Sequence, residues 1–116
     1  MLFDVSIACA IDRRTTVVRI SGAVDISTRD AFVAAIECAA AFGGPIELDL
    51  NGVTFFSAAG MHCIEHADRL MACGGHPLRL VVRRTSPVMI VLDAVQPHRR
   101  WSIDAGPTGS RPAPTA

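Results

Sequence analysis

Between residues 15 and 50 the hydrophobic period of this chain changes twice, and that change limits the folds open to it. TTVVRI (residues 15–20) is rich in β-branched residues and reads as a strand. Phe32, Val33, Ile36, Ala39 and Ala40 then recur at helical spacing in an alanine-rich segment, and Gly43-Gly44-Pro45 stops it. Ile46, Leu48 and Leu50 alternate again, with Glu47 and Asp49 between them. Strand, helix, strand in this order implies a right-handed parallel crossover, the unit of an α/β fold.

The flanking segments extend the unit. Residues 3–8 (FDVSIA) alternate apolar with small or polar residues, as a strand with one buried face should. Ile11-Asp12-Arg13-Arg14 is a polar break, so residues 15–20 return as the second arm of a hairpin. Ser21-Gly22 ends that arm, and Ser27 or Thr28 offers an N-cap to the first helix. A second helix is expected over residues 58–73, with Met61, Ile64, Ala67, Leu70 and Met71 inward and Gly74-Gly75 closing it. Residues 78–82 form another strand before the Arg83-Arg84 break. Ser86-Pro87 opens a short helix to about residue 95, proline being suited to a first turn. Trp101-Ser102-Ile103 is a last short strand or turn. The sum is one α/β domain over residues 1–104, a mixed four- to five-stranded sheet with helices packed on it. Residues 105–116, rich in Pro, Gly and small polar residues, have nothing to bury and read as a disordered tail.

Composition narrows the function. Eleven basic and eleven acidic side chains leave no net charge, so no basic stripe is present for phosphate contacts, and a nucleic-acid partner is not expected. The same balance puts little electrostatic resistance in the way of a homodimer. No apolar run approaches the roughly 20 residues that span a bilayer, and Met1-Leu2-Phe3-Asp4 lacks a basic leader region. The expectation is a cytoplasmic protein without a membrane partner. Cys9, Cys38, Cys63 and Cys73 show no CxxC spacing and are read as free thiols packed as small core residues. Cys63 has a second reading, as a redox input near the start of its helix.

Catalytic patterns are weak. His62-Cys63-Ile64-Glu65-His66 matches the H-x-x-E-H of inverted zinc peptidases, and residues four apart share a helix face. A third protein ligand is not evident, and a solvated helix face explains the same residues. The nucleophile elbow needs Gly-x-Ser-x-Gly, where this chain has Phe-Ser-Ala-Ala-Gly. Gly43-Gly44 precedes a strand instead of opening a helix, so it does not cradle phosphate. No enzyme, cofactor or metal is expected. What remains is the stretch LDLNGVTFFSAAGM (residues 48–61), a strand and turn running into a helix start. A hydroxyl at such a place suits phosphorylation, since the helix end favours negative charge and the added charge can switch an apolar docking surface.

Here the residues point to a family. Ser21-Gly22-Ala23-Val24-Asp25, then Leu48-Asp49-Leu50-Asn51-Gly52-Val53-Thr54-Phe55, then Gly60-Met61 and the later elements resemble the STAS domain of bacterial anti-sigma factor antagonists over most of residues 3–103. The resemblance implies a non-enzymatic module that regulates transcription by binding an anti-sigma factor of the serine-kinase type. The docking surface it implies is Asp25, Phe56, Ser57, Ala58, Ala59, Met61 and His62. Phe55 and Phe56 must point apart, one into the core and one to the surface, and Phe56 is assigned to the surface. In regulated members the loop reads Asp-Ser-Ser/Thr-Gly, and the kinase phosphorylates the first Ser. In this chain the Asp is Ser57, the acceptor is Ala58 and the next hydroxyl residue is Ala59. Ser57 is the phosphorylation candidate that remains, one residue early, and one residue is a turn of about 100° on a helix. The expectation is therefore a partner surface without the usual switch. The alternative is a regulatory STAS domain that binds another STAS protein or a small ligand outside sigma-factor control.

Overall fold

A computed structural model of the chain describes residues 3–10, 15–76, 78–95 and 102–104. The expected break at 11–14, Trp101 and His98, and the tail at 105–116 lie outside them. Eight elements follow in order: β1 (Phe3–Ala10), β2 (Thr15–Val24), α1 (Arg29–Ala40), β3 (Ile46–Phe56), α2 (Ala58–Cys73), β4 (Leu78–Val81), α3 (Pro87–Val95) and β5 (Ser102–Asp104). They build a five-stranded sheet in the order β1-β2-β3-β4-β5. β1 and β2 form the antiparallel hairpin, and every later neighbour pair is parallel. The mixed α/β sheet expected from the alternating periods is the observed one.

One face of the sheet carries the helices. Val18 and Ile20, then Ile46, Leu48 and Leu50, then Leu78 and Leu80 project from one side. They merge with Phe32 and Ile36 of α1, Met61, Ile64 and Ala67 of α2, and Val88 and Leu92 of α3 into one core. The opposite face is paired by charge: Arg19 meets its cross-strand neighbour Asp49 at 3.5 Å, and Arg79 meets Glu47 at 3.7 Å. Glu47 and Asp49 are nearly buried beneath these arginines.

Two strands run further than their residues suggest. Ser21-Gly22 and Asn51-Gly52 look like turns, yet β2 continues to Val24 and β3 to Phe56. The register explains it. Arg19 pairs with Asp49 but Ser21 with Gly52, and Gly22 pairs with Val53 but Ala23 with Phe55, so β3 holds two extra residues against β2. Each bulge moves the inward face along by one, so the buried residues after Leu50 are Val53 and Phe56, three apart instead of two. Gly52 sits where the strands close in: a Cβ there would lie 2.8 Å from Cβ of Ser21. A period of two broken twice leaves the turn-like pattern seen in the sequence.

Candidate partner-docking site

The extended ends of β2 and β3 lie side by side, and both launch a helix. Val24 pairs with Phe56, and the Ser57 amide donates to the Val24 carbonyl at 3.0 Å. The loop from Asp25 to Thr28 and the start of α2 thus emerge together at the carboxyl ends of parallel strands, a place where α/β sheets characteristically bind.

Asp25 organises the first loop. Its carboxylate accepts the Ser27 hydroxyl at 2.6 Å, the Ser27 amide at 2.9 Å and the Thr28 amide at 3.2 Å. The Ser27 hydroxyl bond, with help from the amides, holds the carboxyl below the ordinary carboxylate value of 3.8. Thr28 is expected as a helix cap, but its hydroxyl makes no capping bond to α1; it accepts the Asp25 amide and donates to the Ala23 carbonyl, both at 3.0 Å. The loop is closed on itself.

Ser57 caps α2. Its backbone is extended, and its Oγ accepts the Ala59 amide at 3.2 Å. Ala58 follows on the surface, Ala59 is half-buried and His62 is exposed. No acidic residue lies in the first turn of α2. Gly60 is buried because it rests on the ring of Phe56, where a Cβ would lie 2.6 Å from Cζ and 2.8 Å from Cδ1. That contact sets the height of α2 over the end of β3, and hence where residues 57–59 stand.

Two of the expected surface residues require correction. Phe56 and Met61 are 5% and 4% exposed, and both belong to the core. Phe56 turns inward because the second bulge carries it to the helix face, and Met61 because the inner stripe of α2 begins at Gly60. Phe55, 49% exposed, is the surface ring. Ile26, 78% exposed beside Asp25, is an apolar surface residue outside the expected docking set. Its signal was an isolated large aliphatic residue inside a polar strand-to-helix turn. Asp25, Ser57, Ala58, Ala59 and His62 do stand at or near the surface of this end.

The other candidates separate from the site. His66 is taken up across the helix pair, its Nε2 lying 3.1 Å from Oε2 of Glu37 in α1. Among the described residues no three His, Cys, Asp or Glu side chains gather as a metal site would require. Cys63 is fully buried, with its Sγ 3.8 Å from the Arg29 carbonyl, and burial pushes the thiol up to about 11. A thiol held protonated in the core is a poor redox input. Cys38 and Cys73, expected in the core, are exposed. Both lie near helix C-termini, off the inward stripes.

With this geometry in hand, comparison with known proteins is decisive for the family. The family model described as "Mlab, STAS domain" matches residues 7–96. The chain belongs to the STAS family. Among solved structures, the domain resembles an anti-sigma factor antagonist from Mycobacterium paratuberculosis, with a TM-score of 0.74 at 18% identity over 90% of this chain and 87% of that one. It also resembles the anti-sigma factor antagonist SpoIIAA in its unphosphorylated form, with a TM-score of 0.63 at 21% identity over 90% of each chain. A third likeness is an antisigma-factor antagonist STAS domain from Rhodobacter sphaeroides, with a TM-score of 0.58 at 17% identity over 76% and 89%. At these identities the likenesses establish a shared fold. No curated protein matches the sequence. Among the described residues no helix is long and apolar enough to cross a membrane.

Proposed function

We propose that this STAS domain is a non-enzymatic antagonist of an anti-sigma factor, one of the serine-kinase type, and frees a sigma factor by sequestering it. The observation that carries the reading is the exposed methyl of Ala58 on the first residue of α2, at the position where the family resemblance places a phosphorylated serine. The docking surface combines residues 57–59 and His62 with Ile26 of the neighbouring loop and the ring of Phe55. Asp25 holds that loop in shape. Ser57 is a poor substitute acceptor, because its oxygen is turned to the helix amides as a cap and lies one position outside the helix. The surface therefore stays uncharged, and binding is controlled by the amount of protein instead of by phosphate.

The test uses the purified chain as bait in extract of its source cell, followed by incubation of the captured complex with ATP. Wild type should retain a kinase-type anti-sigma factor and acquire no phosphate on residues 57–60 by peptide mass spectrometry. Ala58→Glu should lose the partner at least tenfold, and Ala58→Ser should gain a phosphate. Stoichiometric label at Ser57, or equal capture by Ala58→Glu, would overturn the reading.

One observation also fits a second reading. The family match is to a STAS domain as such, and this is common to the regulatory reading, in which the domain acts on another protein or ligand outside sigma-factor control. Capture of a partner with neither a kinase fold nor a sigma factor would support that reading over the first.

A further inference from the structure

Among the described residues β1 is an edge strand, and it has few of the features that normally keep edges from pairing. Its eight residues, FDVSIACA, contain no Lys, Arg or Pro. They pair with β2 in unbroken register from Phe3–Gly22 to Ala10–Thr15, with no bulge to twist the edge away. Among the described residues no strand lies against its outer side. At about 3.4 Å per residue the strand runs roughly 27 Å, nearly the width of the molecule, whose shorter extents are 28 and 29 Å.

The side chains define what fits this edge. Phe3, Val5 and Ile7 share the helix face, Phe3 opposite Gly22, Val5 opposite Ile20 and Ile7 opposite Val18. Phe3 and Val5 reach the core yet remain partly exposed, and Ile7 is 37% exposed. Asp4 and Ser6 lie on the other face and are exposed. We infer that the outer edge of β1 pairs antiparallel with β1 of a second copy, joining two sheets into one of ten strands.

Self-complementarity selects a second copy over an unrelated strand. A two-fold axis perpendicular to the sheet matches residues of the same face. Centred on Val5, it sets Phe3 against Ile7 of the other copy and Asp4 against Ser6. Centred on Ser6, it sets Val5 against Ile7. In either register apolar residues meet apolar residues, and the one charge of the strand never faces its own copy. α1 lies over β1 and β2, and three strand spacings separate the two β2 strands by about 14 Å. The partly exposed row of Phe3, Val5 and Ile7 of one copy then adjoins the same row of the other. A net charge of zero adds no long-range repulsion. β2 stands between this edge and β3, whose end carries Ser57, so the inference is independent of the proposed docking function.

The test is sedimentation of the full chain from low micromolar to near-millimolar concentration. The mass should rise from 12.3 kDa toward twice that value. Ile7→Lys places a lysine on both copies of the edge and should raise the dissociation constant about tenfold or more. Ile90→Lys, on a more exposed apolar site of α3, should leave the constant unchanged. Circular dichroism establishes that both variants are folded. Should Ile7→Lys fail to fold, hydrogen exchange on the wild type replaces it, with amides of residues 3–10 exchanging more slowly at high concentration. A monomer at every concentration, a dimer indifferent to Ile7→Lys or equally weakened by Ile90→Lys, or exchange in β1 independent of concentration would each overturn the inference.

Discussion

Gly60→Ala is the most exacting probe of how the docking end is built. By propensity alone the change should stabilise α2, since alanine exceeds glycine by about 1 kcal/mol in a helix interior and by less in a first turn. The structure opposes it. The new methyl would lie 2.6 and 2.8 Å from two carbons of the Phe56 ring, inside any normal contact distance. The ring cannot retreat, being 5% exposed and packed into the core with Val53 and Met61. Overpacking of this kind costs about 1–3 kcal/mol, so after the propensity gain the net loss is about 1 kcal/mol. In a domain of this size that lowers the melting temperature by roughly 4–8 °C. The assay is thermal and urea unfolding of Gly60→Ala, Phe56→Leu and the double variant, read by circular dichroism. Leucine removes the ring carbons in question, so the double variant should recover stability, with a coupling of about 1 kcal/mol or more. Gly60→Ala melting at or above wild type, or two changes that simply add, would refute the claim that this contact sets the height of α2.

Three further outcomes follow from the same geometry. Ser57→Ala removes the oxygen that accepts the Ala59 amide and should cost about 1 kcal/mol in urea unfolding, with Ser57→Gly costing less. Iodoacetamide at pH 8 should label Cys38 and Cys73 in the folded protein but spare Cys63, buried with its thiol at about 11; peptide mapping reads the result, and rapid labelling of Cys63 would contradict its placement. Asp25 binds its proton less readily folded than unfolded. Its contribution to stability is therefore present above the ordinary carboxylate value and lost as pH falls through the lower folded value. Asp25→Asn should lower the melting temperature at neutral pH, leave it little changed at the most acid pH, and so flatten the acid limb of the curve of melting temperature against pH.

The order and kind of the elements are legible in the amino-acid sequence. Residues 58–73 were legible as a helix because inward residues at three- and four-residue spacing end at Gly74-Gly75, and both signals are local. The hairpin and the parallel crossover follow from the same short-range periods, and the alanine at residue 58 gains its meaning from the family resemblance. How far β2 and β3 extend, and which side chains they present, rests on contacts between elements. Asn51-Gly52 is a turn by propensity and a bulge in fact, because pairing with β2 outweighs a preference worth less than the neighbouring core contacts. Two extra residues in β3 move the inward face by one position each, so Phe56 enters the core and Phe55 faces solvent. Burial is a property of the register between strands, and no window of one strand contains it. The same limit hid Ile26, whose exposure depends on a loop that Asp25 folds back on itself beside a strand end more than thirty residues away in sequence.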